Sequence, residues 1–389
     1  MLLEGLEGEA AAGLYMAVLA TLRHRSQRNY AIEYLHGLLT AEGRKTISKI
    51  AAGTDRKGSA QALHHFISDS PWDWNLVRRS VARFLDDRVQ PRAWVVAPLL
   101  IPKSGPHSVG VSSMFVPDVG SQVSAQRAYG LWLANEGASY PVNWRIHLPQ
   151  PWLEEPRRGQ VGIPTEAAPS TQANCVTQAV LDTASWGLAH RPVVIDARQT
   201  DPREIVTALG DADIPVLLKV SCSTLVQPQH GEHEESPGAP VPVLRLAAAL
   251  RQQRRHVTWR DPRSGALSSS LAATARVRLP GGPADQDLVV LYEWRSTRGR
   301  PSGFWITSMT DQTSEQLVRW GRLALQVSAD VQKTGTDVGL RDFEGRTYRG
   351  WHHHMTLASA AHSALKLASA TQTVAAPSRS PDQKWAAVS

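Results

Sequence analysis

A carboxylate at the end of a buried strand is a common anchor for metal-dependent chemistry. The apolar run Val193-Val194-Ile195 ends in such a group, Asp196. A second run, Val95-Val96-Ala97-Pro98-Leu99-Leu100-Ile101-Pro102-Lys103, has the outline of an active-site strand but carries no acid. It leads into "KSGPHSVG" (103–110), which lacks the Gly-Lys-Ser/Thr ending of a phosphate-cradling P-loop. Ser104, Ser108 and the histidines form no spaced Ser-His-Asp pattern. His352, His353 and His354 are consecutive, so on a helix they point in different directions; a ligand pair needs i, i+4 spacing. "QHGEHEE" (229–235) reads as an exposed loop rather than a metal site.

Charge supplies the second chemical signal. The 389-residue chain carries a net charge of +7, which favours an anionic partner such as nucleic acid. Arg44, Lys45, Arg78 and Arg79 fall in a helical N-terminal segment and are candidate phosphate contacts. Arg254, Arg255 and Arg260 surround Trp259, a combination suited to phosphate contacts plus stacking on an unpaired base. The competing reading of both groups is a solvated basic face. Cys175 and Cys222 make no paired motif, and a reducing, cytoplasmic setting is expected. The N-terminal residues carry Glu4, Glu7 and Glu9 and no basic stretch, unlike a signal peptide, and no window is apolar enough to span a membrane.

The elements that must position these residues follow from periodicity. Helical spacing runs through residues 10–90, with Ser70 and Pro71 as the expected cap and first residue of the last helix. Strand patterns begin at Trp94. Asn135-Glu136-Gly137 marks a hairpin, Ser170 or Thr171 caps a helix, and "VVID" and "PVLLK" are strands separated by another helix. This order predicts an α/β fold with a mixed sheet. Residues 223–303 break the rhythm and read as an inserted, basic, β-rich subdomain. A long helix ending near Gly339 and a closing helix occupy 304–370, and 371–389 reads as a disordered tail.

Five ordered stretches resemble the IS701-type family of DDE transposases, within the IS4-like group. They are "QALHHFISDSPWD" (61–73), "IPKSGPHSVGV" (101–111), "YPVNWRIHLPQPW" (140–152), "VVIDA" (193–197) and "GLRDFEGRTYRGWHHHMTLASAAH" (339–362). The resemblance covers about residues 20–370. It implies a helical DNA-binding domain over 1–90 and an RNase H-like core over 91–222 and 304–370. It also implies a β-rich insertion over 223–303, between the second and third catalytic acids. The family cuts and joins DNA with two divalent metals held by an Asp, Asp, Glu set. Residue by residue, the first strand's paired acids fall on Ala97 and Pro98, the second acid on Asp196 and the third on Ser328. Arg198-Gln199-Thr200 also depart from the family's turn after the second acid.

Two divalent ions about 4 Å apart repel by on the order of 17 kcal/mol at an effective dielectric of 20. One Asp beside Ala, Pro and Ser does not offset that. The resulting expectation is a transposase-derived protein that binds double-stranded DNA, alone or as a homodimer, near the bacterial nucleoid. Its catalytic set is degenerate, no cofactor is expected, and transcriptional regulation is its use. Two alternatives are an enzyme that reuses the emptied cleft through Lys103, His107, Asp196 or Ser328, and a nuclease with relocated acids. Only the nuclease alternative calls for Mg²⁺.

Overall fold

A computed structural model describes residues 9–53, 58–116, 120–229, 239–261, 265–283 and 286–375. The loop histidines and glutamates of "QHGEHEE" from position 230 on lie outside the described residues, as does the predicted tail from 376. Among the described residues no helix is long and apolar enough to cross a membrane.

Five helices come first: α1 (Glu9–Leu19), α2 (Arg25–Thr40), α3 (Ile47–Ala52), α4 (Ser59–Ser68) and α5 (Trp74–Val89). The last begins later than its sequence suggests. Asp73, not Ser70, is the N-cap, and its carboxylate accepts from the Asn75 and Leu76 amides. Ser70 is buried and accepts a hydrogen bond from Gln27 instead.

The sheet is then laid down by β1 (Ala93–Pro102), β2 (Val111–Val116), β3 (Ser121–Ala134) and β4 (Ser139–Ile146). Asn135 closes the β3–β4 hairpin by accepting from the Gly137 and Ala138 amides. After a short helix α6 (Arg157–Val161), α7 (Gln172–Ala184) starts at Thr171, whose hydroxyl accepts from the Asn174 amide. β5 (Val193–Asp196), α8 (Pro202–Gly210) and β6 (Val216–Lys219) follow. β1, β5 and β6 are parallel, β3 is antiparallel to β1, and the order β2-β3-β1-β5-β6 is consistent with an RNase H-like core.

The region read as an inserted, β-rich subdomain continues this sheet. It contains β7 (Leu225–Pro228), β8 (Val241–Pro242), α9 (Val243–Leu246), β9 (Arg255–Arg260), β10 (Leu267–Arg278) and β11 (Leu288–Trp294). The returning strand β12 (Gly303–Thr307) pairs antiparallel with β6, and β11 and β10 pair on beyond it. Main-chain hydrogen bonding at the open edge of β6 therefore ties 223–303 to the core.

The long C-terminal helix is also interrupted. α10 (Ser314–Gln332) stops at Lys333, whose backbone leaves the helical region, and α11 (Thr334–Asp337) ends before Gly339, which has a φ of 71°. α12 (Tyr348–Ala375) then runs through the centre of the molecule. It packs on α1, α2, α4, α5 and β4, so the N-terminal helices share one continuous core with the C-terminal helix.

A buried helix must place its polar side chains against partners, and α12 does so with histidines. His352, His353, His354 and His362 are all buried. His354 accepts from the Tyr34 hydroxyl and donates to the Gly339 carbonyl. The two ring nitrogens of His353 lie 2.8 and 2.9 Å from the carbonyl oxygens of Ile67 and Trp72, and its ring stacks on Trp72. His362 donates to the Ser139 carbonyl. The triplet is thus a packing hub; among the described residues no three His, Cys, Asp or Glu side chains are grouped to hold an ion.

Burial lowers the pKa of His353, His354 and His362 to about 4. Between pH 6.5 and about 4 the unfolded chain takes up protons at these positions and the folded chain does not. Their contribution is therefore complete above pH 6.5 and is lost as pH falls, by up to about 1.4 kcal/mol per pH unit for each histidine. Urea midpoints should be level from pH 8 to 7 and drop steeply between pH 6 and 5; a midpoint unchanged down to pH 5 would show that these rings are protonated in the folded state.

Candidate functional site

The strand frame brings Ala97 and Asp196 side by side. Pairing of β1 with β5 runs Trp94–Val193, Val95–Val194 and Val96–Ile195, so the next step sets Ala97 opposite Asp196. Asp196 is in turn the partner of Lys219 on β6, and Lys219 of Trp305 on β12. Ala97, Asp196 and Lys219 therefore form one row, spaced about 4.8 Å from strand to strand. α10 covers this face of the sheet. Its Gly321 lies so close to the Trp305 ring that a Cβ there would be 3.0 Å from it. Ser328 lies on the same helix, which packs across β1 and β5, and its side chain is exposed.

Pro98 leaves the β3 side of the strand undisturbed and limits its pairing on the β5 side. Pairing with β3 is unbroken from Ala93–Ala134 to Pro102–Ala125. The Trp94 amide donates to the Pro192 carbonyl, so even-numbered residues of β1 turn their amides toward β5. The next amide of that series would be residue 98's, facing the Asp196 carbonyl, and the β1–β5 pairing ends at Val96–Ile195, where proline supplies no N–H.

The carboxylate of Asp196 is occupied. Arg198 donates to it through Nε at 2.8 and 3.1 Å and through Nη2 at 2.6 Å, and the Arg198 amide adds a longer bond at 3.3 Å. The forked geometry matches a carboxylate on both oxygens. Lys219 lies over the Trp305 ring at 5.8 Å. Burial and the nearby Arg198 lower its pKa, while Asp196 and Glu293 pull it back up.

The residues present do not fit a two-metal centre. Ala97 and Pro98 offer no side-chain oxygen, and Asp196 is already held by a guanidinium. Two other interior acids are committed elsewhere. Glu293 on β11 pairs with Arg322 and accepts from the Trp305 indole. It stands three strands across and two residues along from Asp196, about 16 Å away. Asp330 accepts from the Ser139 amide and hydroxyl and from Gln326, and pairs with Lys366. Ser139 is in the row of Ala134 and Ala93, two strands across and four residues along from Ala97 and thus about 16 Å away. Two catalytic metals require ligands around a 4 Å separation.

The remaining cleft candidates are dispersed. Lys103 donates to the Phe343 carbonyl, and burial, reinforced by Arg44, pushes its pKa down to about 8. His107 is exposed. A cleft of about 210 Å³ lies between α10 and β9, lined by Trp259, Arg260, Arg319, Arg322 and Gln326 among others. None of Lys103, His107, Asp196 and Ser328 belongs to it.

The proposed phosphate contacts divide. Arg79 and Arg44 are exposed, Arg44 loosely paired with Glu344 at 3.8 Å. Lys45 is buried; its amide donates to Asp342 and its ammonium to the Ala41 carbonyl. Arg78 is 3% exposed and is a correction to the sequence reading. It donates to Thr356, Asn143, the Trp144 carbonyl and both Nδ1 and the carbonyl of His352. Burial lowers its pKa to about 9. On β9, Arg255 and Arg260 are exposed. Arg254 is half-buried over the Trp294 ring. Trp259 is half-buried, with the Arg322 guanidinium 4.1 Å from its ring centre, so one of its two faces is taken.

Sequence reasoning passed over Arg198 and Lys219 as functional groups. Their signals were a basic residue two places after the strand-end acid, and a lysine closing an otherwise apolar strand.

The model of the DDE superfamily endonuclease family matches residues 17–266. No curated protein matches the chain significantly. The match spans more than half of the sequence, and the chain belongs to that family. The burial contrast within α5 is directly measurable. Arg78→Ala should lower the unfolding free energy by on the order of 3 kcal/mol, because it leaves a void and strands several acceptors. Arg79→Ala should change it by less than about 0.5 kcal/mol. Equal urea midpoints for the two variants would contradict the buried placement of Arg78.

Proposed function

We propose that this DDE superfamily endonuclease relative is an IS701-like, transposase-derived protein that binds double-stranded DNA without cutting it, and that its use is regulatory. One observation carries the reading: the only acid in the row where metal ligands are expected is Asp196, and Arg198 grips both of its oxygens. A guanidinium in that position competes directly with a metal for the carboxylate. Ala97 beside it supplies nothing to bridge a second ion.

The DNA contacts of this reading come from exposed basic groups. Arg44 and Arg79 lie on the N-terminal helices, and Arg255 and Arg260 on β9, with Arg254 at its start. Lys45 and Arg78 act on the interior and leave that set. Trp259 keeps one ring face for a base. Such a surface gains most of its affinity from counterion release, so binding should weaken steeply with salt.

Supercoiled plasmid incubated with the protein and Mg²⁺ or Mn²⁺ should remain supercoiled. A labelled duplex should bind at low salt, with affinity falling at least a thousandfold between 50 and 200 mM salt if six or more phosphates are contacted. Metal-dependent nicking that disappears in Asp196→Ala would restore the nuclease reading, and the absence of any DNA affinity at low salt would remove the binding one.

A further inference from the structure

We infer that the cleft between α10 and β9 is a binding site for a small aromatic carboxylic acid, and that its occupation weakens DNA binding. The site stands on the cleft itself; its effect on DNA rests on the DNA-binding reading above. Size sets the first limit. The cleft measures about 210 Å³, and a cavity of about 150 Å³ holds benzene. One substituted or fused ring fits, and a run of nucleotides does not. Trp259 and Leu323 give the cleft an apolar wall. Leu267, the cross-strand neighbour of Arg260, adds an aliphatic side chain that is 74% exposed. Side chains of this kind pack against a flat ring.

Charge sets the second limit. Arg260, Arg319 and Arg322 line the cleft against one acid, Glu136. Arg322 is fixed, because it pairs with the buried Glu293 and lies 4.1 Å from the Trp259 ring centre. Arg260 and Arg319 are exposed. Arg319 pairs with Glu315 at the surface, and an exposed pair yields readily to a second carboxylate. Trp259 Nε1 and Arg322 Nε are buried and meet no acceptor among the described residues. Donors and cations thus outnumber acceptors, and the group that completes such a set is a carboxylate.

Glu136 decides between a small molecule and a strand. It is exposed in the turn between β3 and β4. A DNA strand threaded through the cleft would carry its phosphates past this carboxylate. A single ring instead gives its one carboxylate to the arginines and offers Glu136 an amino or hydroxyl donor. Trp259 and Arg260 also belong to the proposed DNA contacts, so ligand and DNA compete for them. By linkage each lowers the affinity of the other by the same factor.

The test is a calorimetric titration of the full chain with two aromatic acids, 4-aminobenzoate and indole-3-acetate. The neutral 4-aminobenzamide and thymidine 5′-monophosphate serve as comparisons. At least one acid should bind once per chain, roughly tenfold or more tighter than both comparisons. Arg319→Gln should weaken that binding by roughly tenfold, as for one lost charged hydrogen bond, with an unchanged urea midpoint. The bound acid at saturation should lower the affinity for a labelled duplex. No binding of either acid, equal binding of the amide, or binding indifferent to Arg319→Gln would overturn the inference. Preference for the mononucleotide would assign the cleft to a nucleotide and overturn it as well. An acid that binds without changing duplex affinity would overturn the link to DNA. An acid that binds to a chain with no duplex affinity at low salt would support the site and remove the DNA-binding reading.

Discussion

A guanidinium buried without a carboxylate is the constraint around which the molecule is assembled. Arg78 projects from α5 into the junction of β4 and α12, and every acceptor it finds there is neutral. A charge taken from water without a counter-ion is tolerable only if its hydrogen bonds are nearly complete. The cost is met by Thr356, Asn143, His352 and two carbonyls, and those groups must keep their positions. His352 in turn stacks on Trp74, and Trp74 also meets His353, which stacks on Trp72. The N-terminal helices, the sheet and α12 are therefore oriented by one polar cluster embedded in apolar packing.

That coupling matters for the cleft. β4 pairs with β3, β3 with β1, and β1 carries Ala97. On the other side, α10 is tied to β4 through Asp330 and Ser139 and to β11 through Arg322 and Glu293. The row Ala97–Asp196–Lys219 is thus held from both ends by buried ion pairs and hydrogen bonds that do not themselves belong to it. Such an arrangement keeps a cleft rigid whether or not anything is bound in it.

Much of this was legible from residue patterns. The hairpin at Asn135 and the helix cap at Thr171 follow from local turn and capping chemistry, while the adjacency of β1 and β5 was implied only by the family resemblance. Arg78 was misread, although a signal existed. It falls three, four and seven residues before Val81, Ala82 and Leu85, on the buried stripe of α5, while Arg79 lies 100° away on the exposed one. Residue type outweighed periodicity, and the helix obeyed periodicity. The return of β12 to the edge of β6 had no local signal. Antiparallel pairing between segments about ninety residues apart is decided by an open edge, which no window of sequence contains.

The loss of acids that we propose also bears on the scaffold itself. Two carboxylates at adjacent positions of one row, about 4.8 Å apart, repel by on the order of 3 kcal/mol at an effective dielectric of 20. An intact metal-binding set carries that strain until its ions arrive, which links the fold of the site to metal. Here Ala97 removes the repulsion, and Arg198 turns the last carboxylate into half of an ion pair. The row then needs no ion to be stable. A protein that binds DNA as a matter of surface charge gains from that independence, because its cleft has the same shape and the same sign of potential in the presence and absence of Mg²⁺. On the proposed reading, the residues that would end catalysis by metal ions are, by the same physics, the ones that would let the surrounding surface work without them.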